Sequence, residues 1–388
     1  MKVYLDNNVL TEARKRISWL FEEFDNVVVG YSGGKDSTVV LELTLEEARK
    51  RNRLPVPVLF IDQEAEWQGT IEMVREVMYR PEVKPMWFQM PMVITNNASS
   101  FERYSYCWAE GKDNEWIHAK DPISIRENKY GTERFHELFE AIFKVEFAKE
   151  SACYIAGMRA QESPKRAMSL TYMETYKGVT WGKILNKNKK HYTFYPIYDW
   201  EISDVWKSIH EHGWKYNDIY NEMYRHGVNI RDMRISNLHH ETAVQNLLLV
   251  QEIEPETWDK IANRVDGANT IKHLTSDAFK CPAVLPSMFK DWEEYALYLA
   301  DNLIQEDKNK KILINGIETY QKFLINDLVK TDFYRVVVAT ILVSDWDLTK
   351  IVNFTRSHDF NTVRKYVNGQ ITEKNYAINK QWNKYIQI

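Results

Sequence analysis

Residues 27–40 read VVVGYSGGKDSTVV, and the way this stretch is folded decides the rest of the chain. A run of β-branched residues at Val27–Val29 with no polar alternation predicts a strand buried on both faces, as in a parallel sheet. The glycines at 33 and 34 then allow a sharp turn that other residues resist. Asp36 or Ser37 is expected to cap a helix running from Thr38 to about Lys50. Strand, glycine turn and helix N-terminus together aim backbone N–H groups and the positive end of a helix at one point, which is the physics of an anion site.

Working outward, the pattern repeats. TEARKRISWLFEEF (11–24) has apolar residues at helical spacing and is expected to pack over the sheet edge. LPVPVLFID (54–62) reads as a second buried strand ending in an acid, QGTIEMVREVMYR (68–80) as a helix, and KPMWFQMP (84–91) as a third strand. Alternation of this kind predicts a parallel sheet with right-handed crossovers and ligands at the carboxyl ends of its strands, where the glycine loop and Asp62 both fall. Residues 95–134 read as irregular and rich in aromatics, a pattern typical of a lid or binding segment. A helix over about 133–149 leads to a fourth strand in ACYIAGMR (152–159); a lysine-bearing loop, KILNKNKKH (183–191), precedes a strand-like YTFYPIYDW. From Glu201 onward the periodicity is helical. The expected division is an α/β domain over 1–230 and a mainly α-helical C-terminal domain over 231–388.

The bulk composition is that of a globular chain, with 44% hydrophobic and 27% charged residues. A net charge of −4 supplies no global attraction to nucleic acid, so any such contact must be local. The N-terminal sequence lacks the apolar core of a signal peptide, and no run is long enough to span a membrane; the expected compartment is the cytoplasm, with no membrane partner. Three cysteines, Cys107, Cys153 and Cys281, lie far apart and outside any CxxC pair. They exclude a disulfide framework and cannot supply four ligands to an iron–sulfur cluster, so none is expected. Cys153, inside a strand, is expected to be buried and inert.

The loop lacks the GxxxxGK[ST] spacing of the commoner phosphate loop. SGGKDS after a buried strand instead resembles the PP-loop of ATP pyrophosphatases and their phosphoadenosine-phosphosulfate (PAPS) reductase relatives. Three more segments carry the resemblance in the expected order: LFIDQEAEW, GMRAQESPKR and YPIYDWEISDVW. VQEIEPETWDKIANRVDGAN further resembles a helical extension found in a subgroup often encoded beside a ParB-like protein, which suggests such a partner by association. The resemblance implies a twisted parallel sheet with helices on both faces, the Rossmann-like fold of the adenine nucleotide alpha-hydrolases. It implies nucleotide binding by Ser32, Gly33, Gly34, Lys35, Asp36, Ser37, Asp62, Gly157, Arg159, Glu162, Ser163 and Arg166, with Lys35, Asp36, Arg159 and Arg166 carrying catalysis.

Elementary chemistry gives the same residues work to do. Breaking ATP between its α and β phosphates requires charge stabilisation on the departing pyrophosphate. Loop amides and Lys35 can supply it, and the guanidinium groups of Arg159 and Arg166 suit phosphate geometry. Mg2+ would normally bridge phosphate oxygens with few protein carboxylates, and Asp36 and Asp62 are the candidates. Blander readings stand beside these. Arg159 and Arg166 can share a helix face and pair with Glu162; Asp62 can cap the helix near Gly69; Glu64 is either a ribose contact or a solvated carboxylate. Trp200 and Trp206 are expected in the core. His239, His240 and Glu241 are a weak metal pattern, because adjacent side chains point apart.

Lys183, Lys187, Lys189 and Lys190 form a basic loop, either simply solvated or attracting a nucleic acid toward the site. Residues 361–388, basic with interleaved aromatics, read either as such a contact or as a docked helix. The expected activity is therefore cleavage of ATP at the α–β bond to adenylate an acceptor, a nucleic acid among the options. The alternatives are a sulfonucleotide reductase and a non-catalytic nucleotide-sensing module acting on a partner. The reductase relatives use a cysteine near the C-terminus in an ECGLH-like motif, and the last hundred residues here contain none.

Overall fold

A computed structural model of the chain describes residues 6–96, 104–163, 166–168, 175–186, 190–235, 238, 244–265, 267–268, 281–304 and 306–372. The chain divides into two compact units, Met1–Thr95 with Tyr104–Val265, and Asn96–Arg103 with Asp266–Ile388.

The first unit is built on a six-stranded sheet. Its strands are β1 (Asn26–Gly30), β2 (Val56–Ile61), β3 (Val83–Phe88), β6 (Ala152–Ile155), β7 (Gly182–Ile184) and β8 (His191–Phe194), in the order β3-β2-β1-β6-β8-β7. All neighbours are parallel except β7 and β8. The order reverses beside β1, so the loop leaving β1 opens at the topological switch point where ligands of such sheets bind. Helices α1 (Val9–Glu23), α2 (Lys35–Lys50) and α3 (Gln68–Met78) share one core with Val27 and Val29, whereas Val28 faces a second core completed by α4 (Phe135–Glu146). That explains the unbroken β-branched run: both faces of β1 are covered, and all three valines are at most 2% exposed.

Two local expectations are corrected. The segment 95–134 is not wholly irregular: β4 (Met92–Thr95) and β5 (Tyr104–Cys107) form an antiparallel pair. The lysine-bearing stretch beginning at 183 contributes β7, an edge strand of three residues. Its pairing with the buried β8, rather than any pattern of its own, makes it extended.

Beyond residue 230 the first unit continues through helices Val244–Ile253 and Pro255–Arg264. Two carboxylates join this pair to the strand ends. Glu254 accepts from the amides of Gln68 (2.7 Å) and Gly69 (3.0 Å), so it satisfies the start of α3, whose own N-cap, Trp67, has no side-chain acceptor. Arg264 donates through Nε to Glu64 Oε1 at 2.7 Å. The second unit packs helices Trp292–Leu303, Asp307–Tyr320, Asp327–Leu342, Thr349–Thr355 and His358–Val367 around Phe333, Val337, Val338, Ile351 and Phe360. Among the described residues, no helix is long and apolar enough to cross a membrane.

Glu64 is buried, and removing its cation strands a charge. Arg264→Ala should therefore destabilise the unit by about 2–3 kcal/mol, at or just below the roughly 3–5 kcal/mol of fully buried pairs because Arg264 keeps some water contact. Glu64→Gln in the Arg264→Ala background should recover part of the loss. Urea denaturation of the three proteins checks this; a loss below about 0.5 kcal/mol for Arg264→Ala would refute it.

Candidate functional site

The turn after β1 is held by its own short side chains. Gly33 has φ +69°, a conformation open to glycine at little strain. Gly34, not Asp36 or Ser37, is the N-cap of α2, which begins at Lys35. Ser37 instead sits within the first turn, donates to the Gly34 carbonyl (2.9 Å), and accepts from the Ser32 amide (3.3 Å). Ser32 Oγ lies 3.2 Å from Ser37 Oγ, so the two hydroxyls staple the loop closed. No side chain of the loop itself caps α2, and within its first turn the Asp36 and Ser37 amides keep their capacity for an outside acceptor.

Lys35 is 5% exposed. Its ammonium donates to the Met233 carbonyl (3.1 Å), lies 3.2 Å from Asp36 Oδ2, and sits 5.0 Å from the centre of the Tyr220 ring. Burial pushes the Lys35 pKa down, and Asp36 offsets part of that shift. The Lys35 amide donates to Tyr220 Oη at 3.2 Å. Burial in turn raises the Tyr220 pKa, keeping the phenol neutral.

The second wall comes from the loop after β6. A Cβ on Gly157 would stand 2.7 Å from the Asp36 carbonyl carbon and 2.9 Å from the Ser37 amide nitrogen, so only a glycine lets this backbone lie against the start of α2. Arg159 follows, 5% exposed, with Nε donating to Asp36 Oδ1 at 2.5 Å. Glu162 accepts from the Arg159 amide (3.2 Å) and pairs with Arg166, whose own amide donates to Ser163 Oγ (3.2 Å). The reading in which Arg159 and Arg166 share a helix face is corrected, because residues 160–162 form one 3-10 turn and Arg159 reaches across the sheet edge to Asp36. The structure thus gathers Ser32 to Ser37, Gly157, Arg159, Glu162, Ser163 and Arg166 at the carboxyl ends of β1 and β6.

Asp62 does something else. It is fully buried, and its carboxylate accepts from the Glu64 amide (2.9 Å), Trp87 Nε1 (3.1 Å) and Gln89 Nε2 (2.8 Å), with His118 Nε2 3.4 Å away. The last contact is an ion pair rather than a hydrogen bond. Although burial opposes protonation of His118, the neighbouring Asp62 carboxylate leaves its pKa raised on balance. Asp62 does not cap the helix at Gly69, which Glu254 does, and its carboxylate is already engaged by three protein donors. The other magnesium candidate, Asp36, is bound to two cations. Among the described residues no three His, Cys, Asp or Glu side chains gather as a metal site. Asp36, shared by two cations, and Asp62, held by three donors, are thus each engaged by the protein, and neither stands free as a preformed magnesium ligand.

Glu64 is likewise neither solvated nor free for a ribose, since Arg264 and the Trp108 amide (2.7 Å) occupy its oxygens. Trp200 is in the core as expected, 1% exposed, and Trp206 packs against the same core. Cys153 is fully buried and its thiol is pushed up by desolvation. Lys183 lies on β7, and Lys190 immediately precedes β8. Lys187, Lys189, the His239–Glu241 cluster and residues 373–388 lie outside the described residues. Sequence reading missed Tyr220, Met233 and Arg264. Each reaches the site from well over a hundred residues away, and no local pattern announces it.

Glu66 is buried, and desolvation together with Asp62 raises its pKa well above the ordinary 4.5. In the unfolded chain the same carboxyl ionises above about 4.5, so stability falls as pH rises from there toward the folded pKa. Glu66→Gln should raise the melting temperature at pH 7 and lose that advantage near pH 4, which thermal unfolding at the two pH values measures. Gly157→Ala must displace backbone rather than a flexible side chain. Its expected loss is about 1–3 kcal/mol, read from the same unfolding curves.

Comparison with known proteins bears on all of this. The Phosphoadenosine phosphosulfate reductase domain matches residues 26–226, and a Domain of unknown function (DUF3440) matches residues 227–330. Uncharacterized protein YbdN of Escherichia coli (strain K12) is 31% identical over 338 residues, which is 83% of this chain and 82% of that one. Among solved structures, PAPS reductase from Candida auris, in a phosphate complex, aligns with TM-score 0.33 at 16% identity over 62% of this chain and 98% of that one. Candida glabrata FMN adenylyltransferase aligns with TM-score 0.33 at 14% identity over 56% of this chain, and the match spans 62% of the adenylyltransferase, less than two thirds of its length. With the family domain covering residues 26–226, from the first strand of the sheet to the helix that carries Tyr220, the chain belongs to the phosphoadenosine phosphosulfate reductase domain family.

Proposed function

We propose that the protein binds ATP at the Ser32–Ser37 loop and cleaves it between the α and β phosphates, transferring the adenylyl group to an acceptor. The observation that carries this reading is the meeting of the α2 N-terminus, whose Asp36 and Ser37 amides are uncapped, with Lys35 and Arg159, both buried and both held by Asp36. Buried cations with a shared carboxylate are costly to maintain, and they stabilise charge that develops close to them far better than solvated ones do.

In the proposed reaction a nucleophilic atom of the acceptor attacks the α phosphorus and forms the new bond. The bond from that phosphorus to the bridging oxygen breaks, and its electron pair leaves on pyrophosphate. A proton carried by the nucleophile is released to solvent. Loop amides and Lys35 hold the departing pyrophosphate, while Arg159 sets the position of Asp36 and with it that of the Lys35 ammonium. No step is assigned to a metal.

The described cysteines do not favour sulfonucleotide reduction. Cys107 and Cys153 are buried in the cores of the first unit, and burial raises the pKa of Cys281, the opposite of what a nucleophilic thiolate requires.

Product analysis with ATP labelled at the α or γ phosphate, with and without added nucleic acid, tests the proposal. AMP or an adenylated product together with pyrophosphate is expected. Lys35→Ala and Arg159→Ala should each lower the rate about 100- to 1000-fold while still folding, as a cooperative unfolding transition of each variant shows. Release of inorganic phosphate from the γ position, or full activity in either variant, would overturn it.

A further inference from the structure

The family domain ends at residue 226, yet the segment just beyond it lies on the phosphate loop. Met233 offers its carbonyl to the Lys35 ammonium at 3.1 Å, and Ile235 Cγ1 lies 3.8 Å from where a Cβ on Gly34 would be. Both side chains are 2% exposed. Between these two buried anchors stands Arg234, whose side chain is exposed. These two neighbours fix its backbone at the lip of the loop, and its guanidinium is near enough to act on the charges of Lys35 and Arg166. Among the described residues no carboxylate pairs with it.

The charge around it is unbalanced. Lys35, Arg159, Arg166 and Arg234 converge on the start of α2, and the carboxylates among them are those of Asp36 and Glu162. Four cations against two anions leave an excess of about two positive charges, beside a helix end that is itself positive. Burial is the main cause of the lowered pKa values of Lys35 and Arg166, and the nearby Arg234 charge contributes to each. Mutual repulsion of this kind is relieved when a polyanion enters.

We infer that Arg234 is a phosphate-binding residue, supplied from outside the family domain, that makes the site selective for a chain of two or more phosphates over a monophosphate. The inference rests on the nucleotide reading above and deepens it. A single phosphate can be satisfied by the loop amides and Lys35. The additional charge of a polyphosphate chain is what the exposed guanidinium at the lip is placed to meet, with the planar donor geometry that suits phosphate oxygens.

Calorimetric titration of the full chain with inorganic tripolyphosphate, ATP and AMP tests it. Arg234→Ala should weaken tripolyphosphate and ATP roughly 10- to 100-fold and change AMP by less than about twofold. Arg234→Lys should fall between Arg234→Ala and wild type, as a retained charge without the fork predicts. Arg231→Ala, exposed on the same segment, should bind like wild type, and melting temperatures of all variants should agree within about 2 °C. If Arg234→Ala binds tripolyphosphate as wild type does, or loses AMP to the same degree, the selectivity role is wrong while the nucleotide reading stands. If wild type binds none of the three ligands, both fall together.

Discussion

The site depends on one close approach, that of the Gly157 backbone to the first turn of α2. Because no side chain intervenes, the loop after β6 can bring Arg159 onto Asp36, and Asp36 can then hold Lys35 from the other side. The cations would repel one another if brought together in any looser way. Here one shared carboxylate, itself part of the loop motif, lets two buried cations sit side by side. The cost of desolvating them is borne by the sheet, whose parallel pairing of β1 with β6, Val28 opposite Tyr154, fixes the distance between the two loops.

Much of this was legible from local pattern. An uninterrupted β-branched strand, a glycine pair and a helical period define β1, the turn and α2 without help from the rest of the chain. The GMRAQES segment announced that an arginine would join the site. Which partner it would take was not legible. Spacing favoured Glu162, three residues on; the backbone chose a single 3-10 turn instead and sent the guanidinium to Asp36, 123 positions away in sequence. Asp62 shows the converse error. An acid at the carboxyl end of a strand looks like a ligand, but Asp62 is engaged by its own turn through the Glu64 amide and by Trp87 and Gln89 at the end of β3, and only the fold brings those last two to it. The same holds for Tyr220, Met233 and Arg264, which act on the strand ends through tertiary contact alone.

The region after residue 226 therefore has two kinds of work. The segment around Met233 covers the phosphate loop, and the helix pair 244–264 fastens the loop after β2 through Arg264 and Glu64. Past residue 265 the helices close a hydrophobic core of their own. A change of composition along the sequence marks where strands stop, and it does not mark where one packed body stops, because a helix that completes a sheet and a helix that belongs to a separate bundle carry the same period.

The carboxylate of Glu254 gives this arrangement a direction. Two helices begin at the carboxyl edge of the sheet near the switch point, α2 and α3, and each would by itself present a positive pole to any passing anion. The protein fills one of them from within: Glu254 lies across the amides of Gln68 and Gly69 as a permanent, covalently tethered counter-ion. An incoming anion thus meets one receptive pole at this edge and one already quenched, so a long flexible ligand is given a single end from which to be read.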